Sequence, residues 1–381
     1  MSRSCRTLGI LGGGGTGPEL VDAALRCLRA VEELHGERFE LIRFDDARWE
    51  RAAALEVMDE GFLAAACAFY EHVRDRGGAI LRGAVSAPVL YKLRERLQQA
   101  FKVNPLRGIP ALAGLTRFPA AALDGLELTM VRQNTIGAFH SPSEPTASGA
   151  RMIIDESRLE IEQFAGWVFG RARTHVALAM PTRKMGSIGA LWEDVFAGAA
   201  AAHPTIGYRT MYPNLEKIGQ YVRTRLAAPR PDAAAFASFD VPLDRFDVVA
   251  GPELFMDYLM DDAAWAIHGE SFLGCSANYS PDGFASYQTV HGTISPIRGK
   301  DMANPIAMIF ALAMCLRDSC GLPGPADQLH RAIDRTLAAG LRTFDIHRGD
   351  PRLELVGSRA MVDRIIAELR AGATDRGGRE A

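Results

Sequence analysis

The chain has 381 residues, 48% hydrophobic and 23% charged, with a formal net charge of -3. That balance argues against a nucleic-acid partner or a polybasic membrane-binding role. No apolar run reaches membrane-spanning length and the N-terminus carries no signal-peptide core, so a cytoplasmic protein is expected, large enough for two packed domains or one large α/β unit. The six cysteines (Cys5, Cys27, Cys67, Cys275, Cys315, Cys320) form no CxxC pair and no zinc spacing, and read as reduced core thiols.

Arg6 to Leu11 reads as a buried strand running into Gly12-Gly13-Gly14-Gly15-Thr16-Gly17-Pro18-Glu19. Thr16 and Glu19 have the spacing of a capping box, and Val21, Ala24, Leu25, Leu28 and Val31 give the following helix one apolar face. A glycine-rich turn at a helix start can take an anion, but tight-turn chemistry explains it equally well. The spacing is not G-x-G-x-x-G with a later acidic residue, so a Rossmann site is not expected. Residues 39–44 read as a strand, 53–76 as mainly helix and 78–85 as an apolar strand. A helix from Val89 carries Arg94, either a carboxylate clamp or a solvated arginine. Residues 126–132 form a strand followed by Gln133-Asn134-Thr135-Ile136-Gly137-Ala138-Phe139-His140. The strand 174–180, if extended, puts Thr182 and Lys184 on one face. Residues 205–208 and 246–250 read as strands, 215–225 as a helix and 226–236 as a Pro/Ala-rich loop. In the helical stretch 252–262, Asp257 and Asp261 stand one turn apart. Their repulsion costs a few tenths of a kcal/mol. A hard divalent cation such as Mg²⁺ or Mn²⁺ relieves it; a solvated acidic face is the other reading. The tail after Ala371 is expected to fray.

The order of these motifs resembles the β-decarboxylating isocitrate and isopropylmalate dehydrogenases. Their G-D-G-I-G-P-E loop is similar to residues 13–19, "LLGAVG" to 81–86, the arginine of "LRKEL" to Arg94, and "VREN-T-E-G-x-Y" to Val131 through Phe139. "NLFGDILSD" resembles Glu253 to Asp261, and "EPVHGSAPDIAGKGIANP" resembles Gln288 to Pro305. The resemblance implies an α/β, isopropylmalate dehydrogenase-like mixed-sheet sandwich, not Rossmann, with two discontinuous domains. A large cofactor-binding domain would comprise 1–105 and 256–370, a small dimerisation domain 106–255, and 371–381 a flexible tail. It also implies a homodimer with a shared active site and an intersubunit clasp near 145–180.

By the same resemblance, Arg94 and Arg132 bind substrate carboxylate, and a third arginine position falls at Asn104, with Arg107 nearby. The metal carboxylates fall at Asp257 and Asp261, and the partner-subunit aspartate at Asn214. The proton-donating tyrosine falls at Phe139 and the catalytic lysine at Thr182, so both proton-handling groups are gone. Lys184 and His140 are the titratable groups close to the gap, although strand alternation turns His140 away unless the chain bends there. Leu90 and Tyr91 resemble the apolar lining of isopropylmalate enzymes, which implies an apolar γ-substituent on the substrate. His291, Gly292 and Asn304 match the adenosine-binding loop, and Arg298 can attract a 2'-phosphate, leaving NAD or NADP open. The expected activity is NAD(P)- and Mg²⁺/Mn²⁺-dependent oxidation, with or without β-decarboxylation, of a small 2-hydroxy acid in a specialised pathway. A regulatory homologue that binds without turnover, and a metal-dependent non-redox decarboxylase, are the alternatives.

Overall fold

The computed structural model describes residues 6–46, 48, 59–85, 87–214, 218, 247–269 and 273–377. The helix expected at 215–225, apart from Ile218, and the Pro/Ala-rich stretch 226–236 lie outside the described residues. Two compact units emerge: Met1–Gln98 with Glu270–Ala381, and Gln99–Gly269.

In the first unit, β1 (Arg6–Leu11) leads through α1 (Gly17–His35) to β2 (Phe39–Arg43), and α2 (Glu60–Asp75) leads to β3 (Ala79–Arg82) and α3 (Ala87–Arg96). The Asp59 side chain caps α2 by accepting from Phe62 N–H at 3.1 Å. The capping box expected on α1 does not form. Thr16 Oγ1 instead donates to the Thr293 carbonyl at 3.1 Å, and Glu19 Oε2 accepts from Gly299 N–H at 3.2 Å. The glycine turn is likewise spent on the protein's own backbone. Gly14 N–H and Thr16 N–H donate to the carbonyls of Ala84 and Thr293, both at 2.8 Å. A Cβ on Gly15, which holds φ +57°, would stand 2.1 Å from the Thr293 carbonyl oxygen.

The second unit opens with β4 (Phe101–Arg107) and β5 (Glu127–Gln133), then the exposed hairpin β6 (Ser143–Thr146) and β7 (Gly149–Met152). It continues with α4 (Arg158–Phe169), β8 (His175–Ala179), α5 (Gly186–Ala202), β9 (Gly207–Met211), β10 (Val248–Gly251) and α6 (Glu253–His268). Its strands lie in the order β4-β5-β10-β8-β9, parallel except for the antiparallel β4/β5 pair. One face packs α6 against Leu106, Leu128, Met130 and Val249 through Met256, Leu259, Met260, Ala263, Ala264 and Ile267. The other carries aromatic rings, among them Phe101, Phe164, Trp192 and Phe196. This packing puts α6 in the second unit, whereas the large domain was expected to resume at residue 256.

The chain then returns to the first unit with β11 (Cys275–Tyr279), β12 (Ala285–Thr289), α7 (Ile306–Asp318), α8 (Pro323–Ala338), a short parallel pair β13 (Leu341–Arg342) and β14 (Glu354–Leu355), and α9 (Ser358–Gly377). The strand order there is β2-β1-β3-β12-β11, parallel except for the β11/β12 hairpin. The tail expected to fray from Ala371 stays helical to Gly377.

Burial gives α6 a pH sensor. His268 ends the helix fully inside the core, its Nε2 2.9 Å from the Arg107 carbonyl, and burial pushes its pKa from 6.5 down to about 4. The neutral imidazole is therefore the folded form, and its contribution is complete above pH 6.5 and lost as pH falls toward 4. By linkage that amounts to on the order of 3 kcal/mol. Urea unfolding of wild type and His268→Gln across pH 4–7 should give a markedly shallower loss in the variant; parallel curves would refute the assignment.

Candidate active site

Arg132, near the end of β5, is 1% exposed. Leu128 and Met130 share its face and pack under α6, so alternation turns the guanidinium toward that helix. Its Nη1 donates to Asp257 Oδ1, and its Nε and Nη2 donate to Asn134 Oδ1 at 3.2 and 2.7 Å. The cross-strand register sets Lys102 opposite Arg132 and Asn104 opposite Met130, so both lie on this face and both are buried. Asn104 Oδ1 has no hydrogen-bond partner. Lys102 was missed in the sequence, although a lysine amid Phe101 and Val103 in a buried strand was a visible signal.

Asp257 thus has its compensating charge in Arg132, where a cation was expected. It keeps 34% of its side chain exposed, and Asp261, one turn on, is exposed. Among the described residues no three His, Cys, Asp or Glu side chains cluster to hold a metal. Asn214 is exposed, its backbone N–H donating to the Tyr212 carbonyl at 2.9 Å. Two hard oxygen donors remain within reach of an ion from solvent, so the pair suits Mg²⁺ or Mn²⁺ once Arg132 releases Asp257.

Thr182 and Lys184 do not share a strand face. β8 stops at Ala179, and Pro181 opens a single 3₁₀ turn over Thr182–Lys184. Thr182 is buried; the Lys184 ammonium is exposed and lies 5.3 Å from the centre of the Tyr212 ring. Its hydrogen bond with Tyr212 raises its pKa, which holds it further in the ammonium form.

His140 behaves oppositely. The chain bends in a 3₁₀ turn at Ala138–His140 after Gly137, whose φ is +111°. His140 Nε2 comes 3.0 Å from the Asn134 carbonyl and 3.2 Å from Glu253 Oε1. Glu253, the first residue of α6, is 0% exposed and accepts from Phe139 N–H at 2.9 Å through Oε2. Glu156 accepts from Trp192 Nε1; burial raises its pKa, Trp192 opposes that, and the nearby Glu253 charge adds to it.

In the first unit Leu90, Tyr91 and Arg94 share α3, with Arg94 buried and its guanidinium 5.4 Å from the Tyr91 ring centre. Arg82, also missed, is buried at the end of β3, its Nη2 lacks a hydrogen-bond partner, and burial lowers its pKa against the pull of Tyr70. A cavity of about 610 Å³ is lined by His291, Ile294, Asn304, Phe344, Asp345 and Arg348, with further apolar residues. Asn304 Nδ2 donates to Asp345 Oδ2 at 2.8 Å and its Oδ1 accepts from Ile306 N–H at 3.0 Å, so its amide is committed within the protein. Burial lowers the His291 pKa, which favours the neutral ring. Ile294 holds φ 45°, a strained conformation for a β-branched residue at the cavity wall. Gly292 and Arg298 are exposed and do not line it. Asp345 and Arg348 carried no sequence signal, because Asp345 acts through Asn304, 41 residues earlier, and Arg348 joins the cavity wall only in the folded chain.

The strands of the large sheet, parallel apart from the β4/β5 and β11/β12 pairs, define a mixed-sheet α/β protein in two units, the first of them discontinuous, distinct from a Rossmann protein. A family model described as isocitrate/isopropylmalate dehydrogenase matches residues 7–365, and the chain belongs to that family. The 3-isopropylmalate dehydrogenase of Rhizobium johnstonii is 30% identical over 403 residues, 96% of this chain and 99% of that one. That of Rhizobium meliloti is 32% identical over 319 residues, 77% of this chain and 81% of its own length. The structure of isocitrate dehydrogenase from Methylococcus capsulatus shares the fold, with a TM-score of 0.74, 22% identity, and 96% and 99% coverage.

The Arg132–Asp257 contact sets an asymmetry. Asp257→Ala leaves a buried guanidinium short of its carboxylate and should cost ~2 kcal/mol. Arg132→Met removes the buried charge with little change of shape and should cost less. Urea midpoints of the two variants decide it; a larger loss for Arg132→Met would refute the account.

Proposed function

We propose that the chain is an NAD(P)-dependent, divalent-metal-dependent dehydrogenase of a small 2-hydroxy acid with an apolar γ-substituent, isopropylmalate dehydrogenase-like in chemistry. The observation that carries the reading is the α6-facing side of β4 and β5, where Arg132, Lys102 and Asn104 gather buried polarity that a scaffold has no reason to hold. Arg132 and Lys102 would grip one carboxylate of the acid. In the first unit, Arg94, buried with Leu90 and Tyr91 beside it on α3, would bind a carboxylate next to apolar surface. The unpaired Arg82 nitrogen also favours an anionic ligand in that unit.

Asp257 and Asp261, with Asn214 as a neutral oxygen donor, would hold the metal, which when bound polarises the C2 oxygen. The 610 Å³ cavity suits the adenosine part of a dinucleotide in size and in its mix of apolar wall and few polar groups. His291 and Asp345 would orient it, and the dinucleotide when bound accepts the hydride. Homodimerisation is supported by the exposed β6/β7 hairpin and by Met152, Ile153 and Leu159, which are 50, 48 and 62% exposed. Two strands alone are marginal in water, so a second copy is the natural cover. The loss of the family's tyrosine and lysine positions at Phe139 and Thr182 favours a second reading, a homologue that binds these ligands without turnover.

A thermal-shift panel of NAD, NADP, Mn²⁺ and 2-hydroxy diacids tests this, since binding to the native state raises the midpoint. Dinucleotide should stabilise the wild type, and Asp345→Ala should lose most of that shift. Lys102→Gln should weaken acid binding about tenfold, one charge-assisted hydrogen bond. Stabilisation without turnover of any acid would move the conclusion to the binding homologue; no stabilisation by dinucleotide would remove the dehydrogenase.

A further inference from the structure

We propose that Arg82, Gln288 and Ser276 form a binding site for a compact anion, a halide ion or a carboxylate group, on the face of the first unit's sheet that α2 and α3 cover. The site develops the anionic contact noted above for Arg82. Its test needs neither dinucleotide nor metal, so either reading can fail alone. Arg82 stands where the family motif "LLGAVG" has a leucine. Its side chain is 1% exposed, and a guanidinium withdrawn from water to that degree needs a counter-charge and hydrogen-bond acceptors.

The strands deliver the three side chains in one row. Ile80 belongs to the core that β3 shares with α2 and α3, and alternation puts Arg82 on the same face. The parallel register pairs Ser286 with Ile80 and Tyr287 with Leu81, so its next step sets Gln288 beside Arg82. The antiparallel register then sets Ser276 opposite Gln288. Across β3, β12 and β11 the three therefore stand about 5 Å apart in turn.

Each of them offers a donor. Arg82 Nη2 and Ser276 Oγ are both buried, and neither has a hydrogen-bond partner. Gln288 Oε1 accepts from Asn278 Nδ2 at 3.4 Å, which leaves its amide nitrogen as the third donor. The row itself holds no carboxylate. Among the described residues the titratable group that acts on Arg82 is Tyr70 on α2, and burial raises the Tyr70 pKa, so the phenol stays neutral. Burial lowers the Arg82 pKa, but an arginine remains charged in a folded protein. One buried cation with two neutral donors beside it and no protein counter-charge is complementary to a small anion.

The test uses the full chain in chloride-free sodium HEPES, whose sulfonate is too bulky for a buried site. Sodium chloride and sodium acetate are titrated in separate arms at constant ionic strength, and the melting midpoint is read. The wild-type midpoint should rise with at least one of them, because binding to the native state stabilises it. A rise with chloride alone assigns a halide site, and a rise with acetate assigns a carboxylate site. R82M should respond to neither anion, and without them it should melt no lower than the wild type, since the change removes an unpaired buried charge at similar volume. S276A keeps the charge and should bind the anion about fivefold more weakly, the loss of one neutral hydrogen bond. A wild-type midpoint insensitive to both anions, or an R82M response equal to the wild type's, would overturn the proposal. Should R82M fail to fold, the S276A titration decides, and an anion affinity equal to the wild type's would overturn it.

Discussion

The buried guanidinium of Arg132 is the charge around which the second unit is arranged. A strand delivers it to a sheet face with almost no water, where an unpaired cation would cost several kcal/mol. Two elements answer it: α6 through Asp257, and the segment after β5 through Asn134. The same two elements meet again one helical turn away, where Glu253 takes Phe139 N–H and faces His140. One helix therefore holds both the 138–140 turn and the end of β5, using a carboxylate at its first residue and another in its second turn. The first of these is favoured by the helix dipole as well as by its hydrogen bond.

Sequence periodicity made the skeleton legible because it is local. β5 alternates so that Leu128, Met130 and Arg132 face α6, and that alternation is visible in the residues themselves. Asp257 and Asp261 were visible as a like-charged pair, but the partner that relieves Asp257 lies 125 residues earlier. The Thr16–Glu19 capping box failed for the same reason, since the Thr16 hydroxyl finds a carbonyl 277 residues away. Thr182 and Lys184 were misplaced by strand alternation carried past Ala179, where β8 ends, into the 3₁₀ turn that Pro181 opens. For His140 the stated exception applies: β5 ends at Gln133 and the chain bends at Gly137, φ +111°, so strand alternation does not set the direction of the histidine.

Burial, more than residue identity, separates the candidate proton-handling groups. Lys184 has the chemistry of the missing lysine, yet it is exposed and Tyr212 holds its proton more firmly, so it is poorly suited to accept one. His140 is mostly enclosed, its Nε2 3.0 Å from the Asn134 carbonyl and 3.2 Å from Glu253 Oε1. Glu253 spends Oε2 on Phe139 N–H and leaves Oε1 without a hydrogen bond among the described residues, so the desolvation of that buried carboxylate is only partly offset.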